Sequence, residues 1–346
     1  MGIPKTPNSS KNWKLWTGLL ISALFLYLAF RQTDLTATWG VIREADISLL
    51  ILVVTITFLQ FIVRAWRWRI FLDPLQETCF PSRLSSLIIG FAANCILPAR
   101  LGEFIRANYM GHTSGISRST AFGTIVIERL FDGFTLLLVL LIGLLATTFP
   151  IELQSYSGSL RMTGLIIFLG YVLLVLLLAG FKYRADLFLK LLDRLLFFLP
   201  ASLTSKIIRI IRNFTAGLVL LKDCRGWITA VFFSLLVWSL SLYQIMLIEQ
   251  SIGLDLPFIS TFLVLAMASF GVMIPSAPGY IGTFHLAVQY GFLFYGIGKE
   301  EALSAAILWH AGFYFPTILF GLISFLYVQS AFGKVSEGPG SVGSRQ

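Results

Sequence analysis

The sequence predicts an all-α polytopic membrane protein, and three observations carry that expectation. Charged residues make up 12% of the 346 residues, against about 25% in ordinary globular proteins. Mean hydropathy is +0.83, and uncharged runs such as 135–149 and 162–181 gather the apolar residues into spans rather than scattered cores. Two further apolar stretches, 85–110 and 258–297, are broken in the middle by proline and glycine. Lipid-exposed backbone does not tolerate such breaks. A conventional soluble fold is excluded.

Six full spans are expected near 15–30, 48–64, 119–148, 160–181, 226–250 and 302–329. Each crosses about 30 Å at about 1.5 Å per residue, the first only with its flanking residues. Lys5, Lys11 and Lys14 precede the first span with no A-x-A cleavage site, so it reads as an uncleaved signal anchor. The breaks are Leu97-Pro98-Ala99-Arg100-Leu101-Gly102 and Ile274-Pro275-Ser276-Ala277-Pro278-Gly279. A broken stretch at membrane depth is buried in protein or lines a wet cavity, so both read as re-entrant hairpins. The other reading has each broken stretch crossing the membrane as a kinked span, giving eight spans. Residues 203–222 set Lys206, Arg209 and Arg212 beside Ile207, Ile210 and Phe214, as in an amphipathic helix lying on the inner leaflet. The organisation is thus one transmembrane domain, 15–330, between a cytoplasmic N-terminus, 1–14, and a disordered cytoplasmic tail, 331–346.

The net charge of +9 sits between apolar spans, where anionic headgroups attract it, and does not describe a nucleic-acid surface. Cys79, Cys95 and Cys224 follow no CxxC or metal spacing, so no disulfide framework, metal or cofactor is expected. Cytoplasmic loops are the ones rich in Lys and Arg. Three lysines precede the first span, Arg64, Arg67, Arg69 and Arg83 follow the second, and nine bases lie in 182–225. The opposite loops hold Arg31 and Arg43 with three acids, Arg161 beside Glu152, no base in 249–257, and Lys299 with two acids. Both termini are therefore expected inside a cell (inner) membrane. The first hairpin then dips in from the cytoplasm and the second from outside.

The two halves look alike. Pro98 and Gly102 are spaced as Pro275 and Gly279 are, and Gly115-Ile116-Ser117-Arg118 parallels Gly296-Ile297-Gly298-Lys299. Each leads into a long apolar helix with a polar pair, Glu128-Arg129 seven residues past Ala121 and Trp309-His310 seven residues past Ala302. Span, hairpin, span occurs twice, about 48–148 and 226–329, in opposite orientations. Inverted repeats around broken helices mark transporters with a midplane site.

Charges inside the spans are the candidate site. Each costs about 2.5–3.5 kcal/mol at the bilayer centre on insertion scales, so partners are required. Glu128, Arg129 and Asp132 share one helical face, with Arg129 placed to bridge its acids; an intrahelical pair near the interface is the plainer reading. Asn94, Arg100, Glu103 and Arg106 surround the first break. Gly102 opens a half-helix whose free amides, with Arg100, suit a phosphate. Gly279 and Gly282 open the other half-helix, with Ser276 as its cap. Tight packing explains the Pro/Gly runs equally well, and Arg106 by itself reads as a snorkelling side chain. Trp66 and Trp68 among Arg64, Arg67 and Arg69 read as an interface anchor. His285 and His310 lie in apolar surroundings, as cross-helix hydrogen-bonding groups or as a proton relay.

The runs Leu97-Pro98-Ala99-Arg100-Leu101-Gly102-Glu103, Glu128-Arg129-Leu130-Phe131-Asp132 and Pro278-Gly279-Tyr280-Ile281-Gly282-Thr283-Phe284, with Arg64-Ala65-Trp66-Arg67-Trp68-Arg69, resemble the lysylphosphatidylglycerol synthase transmembrane-region family. The likeness covers roughly residues 10–330. It implies a lipid flippase-like module, as in multiple peptide resistance factors and in stand-alone proteins of hopanoid or glycolipid handling. It also implies an acidic residue where His285 stands and a more basic or tyrosine-containing pair where Trp309-His310 stands. The aminoacyl transferase domain of the bifunctional members is not expected in this chain.

Two function classes follow. One is a transporter moving an anionic phospholipid or lipid-linked phosphate between leaflets. The other is a membrane enzyme acting on a lipid phosphate through Glu128, Asp132 and His285. No Gly-x-Ser-x-Gly, His-Glu-x-x-His or Walker A motif supports the second. A regulatory membrane subunit leaves the buried charges unexplained. Oligomeric state is open, a homo-oligomer included.

Overall fold

Asp34, Asp46 and Ser117 each stand just before an apolar run, and each opens a helix by accepting a hydrogen bond from backbone amides of the first turn. Ser48 holds the Asp46 carboxyl below the usual range, first through its hydroxyl and then through its amide. The computed structural model describes residues 12–97, 100–180 and 224–333. Pro98, the basic segment 182–223 with its expected amphipathic helix, and both chain ends lie outside the described residues.

Within them the fold is all-α, with no strand. The helices are α1 (Asn12–Phe30), α2 (Leu35–Glu44), α3 (Ile47–Leu72), α4 (Phe80–Ile96), α5 (Gly102–Ser114), α6 (Arg118–Ala146), α7 (Ser157–Gly180), α8 (Cys224–Ser251), α9 (Ser260–Met273), α10 (Thr283–Leu293) and α11 (Lys299–Phe332). The six long ones stand where the six spans are expected. Four segments, Ile47–Leu72, Leu153–Leu177, Arg225–Ser251 and Lys299–Ala331, are long and apolar enough to cross a membrane by length and composition. The pair α1 and α2, bent by 83°, adds a fifth.

Both broken stretches fold as helical hairpins. Their four helices have 11 to 17 residues, about 16–26 Å each, short of a 30 Å core. In the first, Gly90 lies against Gly102 and Arg106; in the second, Gly271 lies against Thr283 and Ala287. A Cβ on Gly102 would sit 2.0 Å from the Gly90 carbonyl oxygen, and one on Gly271 2.7 Å from the Thr283 carbonyl oxygen. Glycine here permits two helices to close on each other.

The described loops gather at two ends of the bundle. At one end the Asp34 amide donates to Glu300, the Asp46 amide to the Ser251 carbonyl, and Thr147 bonds Tyr295. At the other, Gln76 donates to the Ser114 carbonyl. The two hairpins have their open ends at these opposite ends of the bundle.

The repeat is inverted in three dimensions. Helices α3 and α8 pack antiparallel: Asp46 meets Ser251, Val53 meets Gln244, Gln60 meets Ser241 and Arg67 meets Ser234. Each repeat also lends its last helix to the other, α6 packing on α9 and α11 on α4. Gly90 and Gly271, Gly102 and Thr283, Gly115 and Gly296 make equivalent pairs 181 residues apart, and Gln60 and Ser241, separated by the same 181, touch. Residues on a two-fold axis touch their own counterparts. This register corrects the tip alignment: Gly102 corresponds to Thr283, one helical turn past Gly279.

A second correction concerns α3, which runs on to Leu72. The basic-aromatic run therefore lies inside a helix, where successive side chains point about 100° apart. Trp66 and Arg69 face outward, whereas Arg67 and Trp68 are fully buried. Arg83, also counted as a loop base, is buried and donates to the Thr78 carbonyl.

Candidate functional site

Glu128 and Asp132 lie one turn apart on α6, and both are buried. Arg67 of α3 spans them: Nη2 is 3.0 Å from Glu128 Oε1 and Nη1 is 2.7 Å from Asp132 Oδ1. The planar fork of a guanidinium matches this spacing, and a lysine ammonium does not. Arg106 of α5 takes Glu128 with both terminal nitrogens, at 3.1 and 2.8 Å, and its guanidinium stacks 3.8 Å over the Trp68 ring. The snorkelling reading of Arg106 is overturned, since its side chain is only 2% exposed. Arg129 does bridge its acids, at 3.4 Å to Glu128 and 3.3 Å to Asp132, and reaches Glu103 of α5 at 3.5 Å. It is nonetheless the outer member, with 35% of its side chain exposed. Ser234 and Trp238 of α8 complete the shell: the Ser234 hydroxyl accepts from Arg67, and the Trp238 indole donates to Asp132.

The second repeat carries aromatic rings at the equivalent positions. Glu103, Glu128 and Arg129 correspond to Phe284, Trp309 and His310 in the 181-residue register. Phe284 packs 5.2 Å from Trp309 and 5.3 Å from His310, and His310 stacks 5.1 Å from Tyr314. His310 Nε2 bonds the Gly279 carbonyl at 2.8 Å, and His285 Nδ1 accepts from the Gly282 amide at 3.5 Å. His310 thus reaches from α11 to the second hairpin tip, as a cross-helix hydrogen bond does, whereas His285 bonds within the first turn of its own helix.

Between the charged and aromatic walls the tips meet. Arg100 Nη2 donates to the Val272 carbonyl at 2.9 Å, and its guanidinium lies 5.9 Å over the Tyr280 ring. Arg100 and Tyr280 have φ of 54° and 58°. A side chain in this left-handed region costs about 1–2 kcal/mol, so each tip keeps a strained residue whose side chain faces the other tip. Three cavities of about 210, 270 and 400 Å³ adjoin here and share Val272. The first is lined by Gln60, Arg64, Tyr280 and Trp309. The second is lined by Asn94, Arg100, Pro275 and Ser276. The largest is lined by Arg100, Arg129, Asp132 and Trp238.

The half-helix amides are less open than expected. The Gly102 amide donates to Asn94 Oδ1 at 2.8 Å. Ser276 does not cap α10; its hydroxyl bonds Thr283 Oγ1, and Ser22 of α1 seats the tip by accepting from the Ala277 amide and donating to the Ile281 carbonyl. Gly279 and Gly282, beyond the turn at Pro278, have φ of 73° and 94°, and a Cβ on either would meet Tyr314 or the Ser22 carbonyl at 2.6 Å. These glycines serve the turn and its packing. Among the described residues no group of three His, Cys, Asp or Glu is placed to hold a metal ion.

Sequence reasoning missed Arg67 and Arg64. The signal was present: Gln60, Arg64, Arg67 and Phe71 fall at i, i+4, i+7 and i+11, one face of a helix carried past residue 64.

Comparison with known proteins agrees with this architecture. Residues 15–321 match the family described as the lysylphosphatidylglycerol synthase TM region. A UPF0104 membrane protein of Pyrococcus horikoshii is 23% identical over 88% of this chain and 95% of its own length. One from Methanocaldococcus jannaschii is 22% identical over 91% and 95%. The glycosyltransferase AglD of Haloferax volcanii is 24% identical over 98% of this chain and 58% of its own length. The matched region takes in both repeats, both hairpins and the buried arginine–carboxylate network, and the chain belongs to the lysylphosphatidylglycerol synthase transmembrane-region family.

Proposed function

We propose that the protein is a lipid transporter that moves an anionic, phosphate-bearing headgroup between leaflets through the cleft where the two hairpin tips meet. The observation that carries this reading is Arg100, a guanidinium that lines two cavities and makes no ion pair among the described residues. A phosphate oxygen offsets the cost of such a charge in a membrane through charge-assisted hydrogen bonds. The hairpins act as re-entrant elements whose irregular backbone is enclosed by α1, α3 and α11. The Arg100 bond to Val272 joins the tips, and a headgroup that captures the guanidinium weakens that joint, which links cargo binding to opening.

The carboxylates support transport over catalysis. Glu128 is held by three arginines and Asp132 by two, so the protein's own cations already engage both carboxylates. The test is reconstitution in vesicles with labelled phosphatidylglycerol, scoring leaflet exchange and chemical conversion in one assay. Exchange without conversion is expected; conversion without exchange favours an enzyme.

The same reading places the multi-pass protein in the cell membrane with both termini cytoplasmic and the 149–159 loop outside. In a cysteine-free background, Ser155→Cys is expected to react with an impermeant thiol reagent in intact cells. Labelling only after permeabilisation would reverse the orientation.

A further inference from the structure

The charges around the cleft do not balance. Arg67, Arg106 and Arg129 are paired with Glu103, Glu128 and Asp132, three against three. Arg64 and Arg100 remain, and neither makes an ion pair among the described residues. Arg64 is half-buried on α3, with its guanidinium 5.4 Å over the Phe91 ring. It lines the 210 Å³ cavity, and Arg100 lines the adjoining 270 Å³ cavity; Val272 and Tyr280 belong to both. One positive charge from α3 and one from the first hairpin tip thus line adjoining cavities that share Tyr280, and Trp309, His310 and Tyr314 line the first of them.

From this imbalance we infer that the cleft selects a lipid with a terminal phosphate carrying two negative charges, held by Arg64 and Arg100 together. The inference rests on the transport reading only in taking the cleft as the headgroup site. A phosphodiester carries one negative charge and neutralises one guanidinium, leaving the other unpaired in a low-dielectric surround. A phosphomonoester is close to doubly ionised above its second pKa of about 6, and it presents three oxygens, enough for two guanidinium forks.

The test compares two ligands that differ by one methyl group: phosphatidic acid and phosphatidylmethanol, titrated at pH 8 against the full chain in phosphatidylcholine nanodiscs. Phosphatidic acid is expected to bind roughly tenfold tighter or more. Arg64→Gln and Arg100→Gln should each bring the ratio close to one. Arg118→Gln, at the exposed first residue of α6, should keep it. Equal affinities for the two lipids in the wild-type chain, or an equal loss in Arg118→Gln, would overturn the inference. The wild-type ratio decides the matter even if a variant fails to fold. Leaflet exchange measured in parallel separates the two ideas. A preference for phosphatidic acid without exchange removes transport and keeps the dianion site; exchange without preference does the reverse.

Discussion

Arg67→Ala is expected to destabilise the purified protein by about 3–5 kcal/mol, the range for breaking a buried ion pair by removing one partner. The side chain is wholly buried and joins Glu128 to Asp132 and to Ser234. Its loss leaves Asp132 with one ion-pair partner among the described residues, Arg129 at 3.3 Å. Arg129→Ala should cost far less, about 0–1 kcal/mol, because its 35% exposed side chain is solvent-screened and Arg67 and Arg106 still hold Glu128. Arg67→Lys should recover little, since an ammonium cannot span both carboxylates. Thermal unfolding in detergent gives the order, and an Arg67→Ala, Asp132→Ala double-mutant cycle gives the coupling. A larger effect of Arg129→Ala than of Arg67→Ala would contradict the geometry.

The parts of this fold written as long apolar runs were legible in the sequence, because lipid selects them by composition alone. The Pro/Gly breaks were legible for the same reason: a membrane helix seldom carries them without purpose. The Glu128, Arg129 and Asp132 face followed from helical spacing. Its principal partner did not, because Arg67 and Asp132 are 65 residues apart, and no local pattern reports such a pairing. Arg67 was further disguised by neighbours, since Trp66 and Arg69 do face outward in the manner of an interface anchor. Arg106 misled for a related reason: its stem has the length to snorkel, and only the approach of Glu128 and Trp68 shows that it turns inward. Asn94 and Ser22 occupy amides that the half-helix pattern alone leaves open. The asymmetry of the halves, charged in the first and aromatic in the second, was visible in the pairing of Glu128-Arg129 with Trp309-His310. Its consequence, one cleft with two unlike walls, needed the exchange of α6 and α11 between hairpins.

Arg100→Gln is expected to abolish most lipid movement while the protein still folds. Gln keeps a polar, hydrogen-bonding side chain at the tip, and the change removes a charge with no carboxylate partner among the described residues. What is lost is the full positive charge between the cavities. Arg100→Lys should restore only part of the rate, because a point charge cannot make the bidentate contact that a guanidinium makes with phosphate. The direct measurement is leaflet exchange of labelled phosphatidylglycerol in vesicles holding equal amounts of folded wild-type, Arg100→Gln and Arg100→Lys protein. A steep loss for Gln with partial recovery for Lys is the predicted result; a Gln variant that moves lipid at the wild-type rate would take Arg100 out of the path and leave the Pro/Gly breaks as packing devices.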